Sequence, residues 1–257
     1  MILRPAHLET PQPAASAISA WSAILRTQQQ PGEDCWLISQ PDHAALSGDL
    51  AASLALPGVT PEVVQAIALH DEGWAQCDER ARAAAEQPGA SRPRSFFEMP
   101  VPEFLAAWSA SIERAEQVAP IGGLMVSGHF CRLAQERVRT GGDFPDDARR
   151  LQVFLAGEQR RCEKLRARER RSPAEIEKLV EVLQFCDLVS LYLCSGAGEN
   201  VEFPQRLSGP QPIRLRREKE ACIFEPTPFR GSFDLGIAAR RGGAEGARST
   251  TFPFFLW

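Results

Sequence analysis

The chain has 257 residues, enough for the core of one ordinary domain, and 29 Lys and Arg against 33 Asp and Glu leave a net charge of −4. That balance gives no general attraction to phosphate backbones or anionic lipid, so neither nucleic acid nor a membrane is an expected partner. No window is apolar for long enough to span a bilayer, and the first thirty residues lack the basic start and unbroken apolar core of a signal peptide.

Residues 1–33, rich in Pro, Ala and Gln, read as a variable leader with one short helix over 17–26. Cys35, Trp36, Leu37 and Ile38 form a compact apolar run, either a short strand or an extended approach to the first main helix. Pro41 and Asp42 suit the first turn of that helix, whose inward face carries His43, Leu46, Leu50 and Leu54. Thr60 can cap the next one, with Pro61 in its first turn and Val63, Ile67, His70, Asp71 and Trp74 as its inward stripe.

Phe104, Leu105, Trp108 and Ile112 repeat the pattern over 101–118. From Ile121 onward Met125, His129 and Leu133 recur at four-residue spacing on one helix face. The stretch 144–171 is anchored by Leu151, Phe154 and Leu155 and then becomes a mixed-sign charge run, the mark of a solvated face. Ser172, Pro173 and Glu175 form a capping box for the last long helix, whose stripe runs through Ile176, Val180, Leu183, Asp187, Leu191 and Cys194.

Gly196, Gly198, Pro204, Gly209, Pro210 and Pro212 end the helical pattern. Ile213 and Leu215 then alternate with Arg214 and Arg216, and Phe233, Leu235 and Ile237 with Asp234 and Gly236, as strands do. Phe252, Phe254, Phe255, Leu256 and Trp257 make an apolar tail expected to dock on the body. The pattern predicts a mainly α fold: a helical bundle over 34–200, with a small C-terminal β element and tail over 201–257 packed on the same domain. The seven cysteines are odd in number and form no CxxC pair, so they read as reduced thiols of a cytoplasmic protein, with a homodimer as the default assembly.

Three of the four histidines, His43, His70 and His129, lie in helical apolar patterns together with Asp71 and Asp187. A buried aspartate is costly unless paired, hydrogen-bonded or bound to a cation, and imidazoles with carboxylates are natural ligands for divalent transition metals. Singly, each would more commonly be a hydrogen-bonded core histidine or a capping aspartate. As a set they point to one metal linking several helices.

The order His, His-Asp, distant Asp resembles the HD superfamily of metal-dependent phosphohydrolases. More closely, 40–46 (QPDHAAL), 69–74 (LHDEGW), 127–130 (SGHF) and 183–191 (LQFCDLVSL) resemble the bacterial family DUF3891, a similarity that runs from Trp36 to Arg240 and includes Phe224, Pro226, Pro228 and Phe229. The resemblance implies an HD-domain-like helical bundle. It also implies His43, His70, Asp71 and Asp187 as primary ligands of Zn, Mn, Fe or Ni, with His129 as an additional ligand or substrate-facing residue. No further histidine lies between His129 and Asp187, so one ion is favoured over two unless Glu72 or Asp78 completes a second site.

On that reading a metal-activated water attacks the phosphoester of a small phosphorylated molecule, and Glu72, with Asp71 and His129, forms the catalytic set. Arg92, Arg94, Gln184 and Asp78 are the candidates for substrate binding. The plainer roles are a solvated salt-bridge carboxylate for Glu72, exposed loop charges for Arg92 and Arg94, a polar border for Gln184, and core packing for Trp36, Trp74 and Trp108. Walker, GxGxxG and GxSxG motifs are all missing. Two other functions fit the same residues: a non-catalytic regulatory module that keeps the metal or ligand site, and an iron-dependent oxygenase.

Overall fold

The computed structural model describes residues 1–7, 17–30, 34–85, 87, 92–207, 209–218, 221–241 and 248–257. The Pro- and Ala-rich part of the leader at 8–16, and 31–33, lie outside these described residues. The helices are α1 (Ala20–Gln29), α2 (Gln40–Ala52), α3 (Pro61–Ala68), α4 (Ala75–Ala85), α5 (Val101–Val118), α6 (Pro120–Thr140), α7 (Pro145–Arg166) and α8 (Pro173–Ser195). The strands are β1 (Ile2–Pro5), β2 (Ile18–Ser19), β3 (Cys35–Ile38), β4 (Val201–Phe203), β5 (Ile213–Glu218), β6 (Ala221–Glu225), β7 (Phe233–Arg241) and β8 (Arg248–Leu256).

Local chemistry explains where the key helices start and stop. Ser39 Oγ accepts from the Asp42 amide at the head of α2, where Asp42 also meets the positive end of the helix dipole. At α8 the capping box closes in both directions: Ser172 Oγ accepts from the Glu175 amide at 3.3 Å, and Glu175 accepts from the Ser172 amide at 2.7 Å. Gly196 ends α8 in the left-handed conformation, φ 75°, which a side chain would disfavour. Thr60 precedes α3 without a side-chain capping bond; its hydroxyl donates to Glu62.

Helix α3 is shorter than its apolar stripe suggests. It ends at Ala68; His70 and Asp71 occupy the turn beyond it, and Glu72–Trp74 form a 3-10 turn. Gly73 sets that path. Its amide donates to Ser111 Oγ on α5 at 2.9 Å, and a Cβ placed on it would fall 2.0 Å from the Ala107 carbonyl oxygen. The chain can lie this close to α5 only as glycine.

The expectation of a mainly α fold with a small C-terminal β element is overturned: 57% of the described residues are helical and 19% are in strands, and the strands form one eight-stranded mixed sheet. Its order is β1-β3-β7-β8-β6-β5-β4-β2, so both ends of the chain are woven into it. The apolar tail is strand β8, antiparallel to β7 from Phe233↔Leu256 to Arg241↔Arg248 and parallel to β6 at Ala221↔Phe255 and Cys222↔Leu256. Two pieces of the expected leader are strands β1 and β2, paired with β3 and β4. A strand is stabilised by partners far away in sequence, so short terminal segments carry little local sign of membership.

Strand β1 is an edge, and Gln28 covers it. The Gln28 side chain accepts from the Leu3 amide at 3.0 Å and donates to the Leu3 carbonyl at 2.6 Å, as a neighbouring strand would. Next to it, the buried Arg4 guanidinium donates to the Leu193 and Cys194 carbonyls at 2.7 and 3.4 Å, satisfying the C-terminal end of α8. Phe185 of α8 meets Phe203, Phe224 and Phe229 of the sheet region. One side of α8 therefore rests on the sheet, and the other is free to carry Asp187 toward α2 and α6.

One continuous core joins sheet and helices. The charged end of α7 is largely exposed, with Glu158 and Leu165 buried. All seven cysteines are free thiols. Among the described residues, no helix is long and apolar enough to cross a membrane.

Candidate metal centre

Four separate segments deliver five side chains to one point. His43 comes from α2, His70 and Asp71 from the turn after α3, His129 from α6 and Asp187 from α8. His43 and His70 are fully buried, while the Asp71 and Asp187 side chains keep 9% and 14% of their exposure and so form the open side of the cluster.

His43 Nε2 lies 3.2 Å from Asp187 Oδ1 and 3.4 Å from Asp71 Oδ2. His70 Nε2 lies 3.4 Å from Asp187 Oδ1 and 3.7 Å from Asp71 Oδ2, and His129 Nε2 is 3.8 Å from Asp187 Oδ2. Two groups, His43–His70–Asp71 and His70–His129–Asp187, each bring one donor atom per residue within 4.8 Å of the others. With metal–donor bonds of about 2.1 Å, neighbouring ligands sit about 3.0 Å apart in an octahedron and about 3.4 Å apart in a tetrahedron. The observed spacings, 3.2–3.8 Å, overlap the upper end of that range and run slightly beyond it.

Orientation supports the same chemistry. His43 Nε2 and His70 Nε2 are buried and lie close to carboxylate oxygens without a well-formed hydrogen bond. His129 Nδ1 is likewise buried without a partner. An unsatisfied buried polar atom costs about 1–3 kcal/mol, which a cation shared by the set would offset.

The far sides of two rings are anchored. His70 Nδ1 is 2.8 Å from the Ile67 carbonyl, which can only accept, so the proton sits on Nδ1 and the Nε2 lone pair faces the cluster. His43 Nδ1 is 2.8 Å from Ser190 Oγ. The donor set, its spacing and the unpartnered nitrogens therefore fit a divalent ion.

Without an ion the groups compensate one another. Burial opposes charge on His43, but the Asp187 and Asp71 carboxylates outweigh it and carry its pKa up to about 9. Burial also works against a charged Asp187, yet the imidazoles of His43, His70 and His129 hold it well below the usual carboxylate range. His129 is pushed down to about 4 by burial, with the charges of His70 and His43 acting the same way against Asp187 and Asp71.

The other candidate residues lie outside this cluster. Glu72 is half-buried in the 3-10 turn, and its carboxylate has no hydrogen bond or ion pair among the described residues. Asp78 is buried and accepts from the Met1 ammonium at 2.8 Å and the Gln40 amide at 2.6 Å, so both its oxygens are engaged in packing. Arg92 is held in a fork by Glu98 at 2.8 and 2.9 Å, and Arg94 is an exposed loop residue. Gln184, one turn before Asp187, accepts from Arg132, which also pairs with Glu177. Trp74 and Trp108 are core residues, each edge-on to Phe104.

Two site neighbours escaped the sequence reading. Arg132 is the only Arg or Lys within four positions of any of the five clustered residues, a sign readable from the sequence once those five are taken together. Ser190 stands three residues after Asp187 on the same helix face, a small polar residue in an apolar stripe.

Fold and site together define a helix-and-sheet protein with a buried His/Asp cluster that could hold a metal ion. The chain belongs to the family described as "Protein of unknown function (DUF3891)", whose model matches residues 24–241. No curated protein and no solved structure matches it.

Proposed function

We propose that the protein is an HD-type metal-dependent hydrolase acting on a small phosphoester, with one divalent transition metal held by His43, His70, Asp71 and Asp187 and supported by His129. The observation that carries this reading is the convergence of five donor side chains from four segments, with two buried ring nitrogens facing the cluster unpartnered. A divalent ion bound there supplies Lewis acidity and acidifies coordinated water.

The chain's own groups do the rest. Asp71 and Asp187, on the open side, offset the ion's charge. Glu72, with a free carboxylate directly after the ligand pair, takes and returns the proton. Arg132, released from Glu177, receives a phosphoryl oxygen, with Gln184 holding its other arm. The protein works in the cytoplasm, as a homodimer, on a small phosphorylated molecule.

A second reading is a non-catalytic module that binds a metal or ligand. It is favoured by the pairing of Arg92 with Glu98 and of Arg132 with Glu177, which leaves both guanidinium groups occupied.

The test is elemental analysis of protein purified without chelator, followed by phosphatase and phosphodiesterase assays with Zn, Mn, Fe and Ni. One ion per chain, lost in His70→Ala, together with turnover, is the expected result. Full loading with silence across the screen selects the binding module. Iron with an oxygen-dependent spectral change selects an oxygenase, and absence of any enriched metal overturns the metal centre.

A further inference from the structure

We infer that Ser190 is a positioning residue for the metal centre: it fixes which nitrogen of His43 carries the proton and so presents the other as a ligand. This rests on the metal-centre reading above. Ser190 is fully buried, and its Oγ has two close partners on one residue, His43 Nδ1 at 2.8 Å and the His43 carbonyl oxygen at 2.8 Å.

A hydroxyl has one proton to give. A carbonyl can only accept, so the bond to the His43 carbonyl uses the Ser190 proton. The Oγ lone pair then faces Nδ1, and a bond there requires the imidazole to donate. With its proton on Nδ1, a neutral His43 keeps its lone pair on Nε2, the atom that lies 3.2 Å from Asp187 and 3.4 Å from Asp71. In the opposite arrangement Ser190 would donate to Nδ1 and leave Nε2 protonated, which no metal can use.

The surroundings hold this choice in place. Ser47 Oγ also donates to the His43 carbonyl, at 3.1 Å, and approaches the Cys186 carbonyl at 3.4 Å, tying α2 to α8 at the same level. Helix α8 thus contributes twice to the site. It carries the ligand Asp187 and, three residues later, the group that orients a ligand on another helix. His70 is oriented by the Ile67 carbonyl, which no side-chain substitution removes. Ser190 is thus a side-chain orienter of a ligating ring that mutation can delete.

The experiment uses zinc-loaded full-length protein and the variants Ser190→Ala, Ser190→Thr and Ser190→Cys. Long-range nitrogen–proton NMR of the wild type should show His43 protonated at Nδ1, with that proton protected from exchange. In Ser190→Ala the protection should disappear and zinc affinity, measured against a chromophoric chelator, should fall about 10- to 100-fold. Ser190→Thr restores the hydroxyl and should restore affinity to within a few-fold. Thermal unfolding without metal separates this from general destabilisation, and if the alanine protein does not fold, the isosteric Ser190→Cys takes its place.

Wild-type protein that binds zinc, alongside a folded Ser190→Ala that binds it equally tightly, overturns the role of Ser190 alone. So does an Nε2-protonated His43 in the loaded wild type. Wild-type protein that takes up no zinc overturns the metal-centre reading and this inference with it.

Discussion

Replacing Gly73 by Ala tests whether the backbone path between His70–Asp71 and α5 sets the geometry of the His/Asp cluster. The added Cβ would lie 2.0 Å from the Ala107 carbonyl oxygen and 2.8 Å from both Ser111 N and Ser111 Oγ. A carbon and a carbonyl oxygen tolerate about 3.3 Å, so the turn and α5 must part by about 1 Å. The contacted atom at 2.0 Å is helix backbone and cannot swing aside.

Overpacking of this kind costs about 1–3 kcal/mol. Losing the Gly73–Ser111 hydrogen bond adds about 1 kcal/mol, for a total of about 2–4 kcal/mol. Asp71 lies two residues upstream and Trp74, buried against Phe104, one residue downstream, so the shift reaches both. A site tolerates about 0.5 Å, and metal affinity should fall at least about tenfold.

Urea unfolding of the metal-free protein and chelator competition for zinc measure the two effects separately. Gly157→Ala on α7 is the control: nothing lies within 4 Å of its Cβ position, so the better helix former should leave stability unchanged or raise it by up to about 1 kcal/mol. A Gly73→Ala protein as stable as the wild type and equally tight for zinc would refute the close-approach argument.

Other substitutions probe the edge, the substrate side and the surface. Gln28→Leu removes both bonds to the Leu3 backbone in a buried position and should lower stability by about 2–4 kcal/mol in urea unfolding. If the protein turns over a phosphoester, Arg132→Ala should raise KM more than it lowers kcat, and Glu177→Gln, by freeing the guanidinium, should lower KM; unchanged KM in both removes Arg132 from substrate binding.

Arg137 grips Asp143 through three contacts of 2.7–3.1 Å and holds its pKa below the usual value. A depressed carboxylate stabilises the fold above its unfolded pKa of about 3.9 and loses that contribution as pH falls through the lower folded value. Arg137→Ala should therefore cost up to about 1 kcal/mol at pH 7, and the pH-dependent part of the deficit should shrink as pH falls below about 3.9. A deficit constant across this range would place the whole effect of Arg137 in its contact with the Phe104 ring.

The His/Asp cluster is easier to read than the fold because its sign is local. Ionisable residues at His43, His129 and Asp187 interrupt helical stripes, and no neighbouring residue accounts for them. His70 and Asp71 were found on the same basis, but in the wrong kind of element. A 3-10 turn keeps roughly the same rhythm as an α-helix, so the spacing of Ile67, His70 and Trp74 runs smoothly through the end of α3. The path beyond the helix end is held by the contact of Gly73 with Ala107 and Ser111, about 35 residues further along the chain.

The sheet was missed for the same reason on a larger scale. Ile2, Leu3 and Arg4 show no alternation because β1 is buried, and Arg4 hides its strand by being a buried cation. Its role becomes visible only with the last turn of α8 in place, where it supplies donors to the Leu193 and Cys194 carbonyls. The same helix carries Asp187 and Ser190 toward His43. Strand β1 thus anchors the end of the helix that brings Asp187 into the cluster and Ser190 to His43, and the β elements, which add no donor to the cluster among the described residues, belong to its physical support.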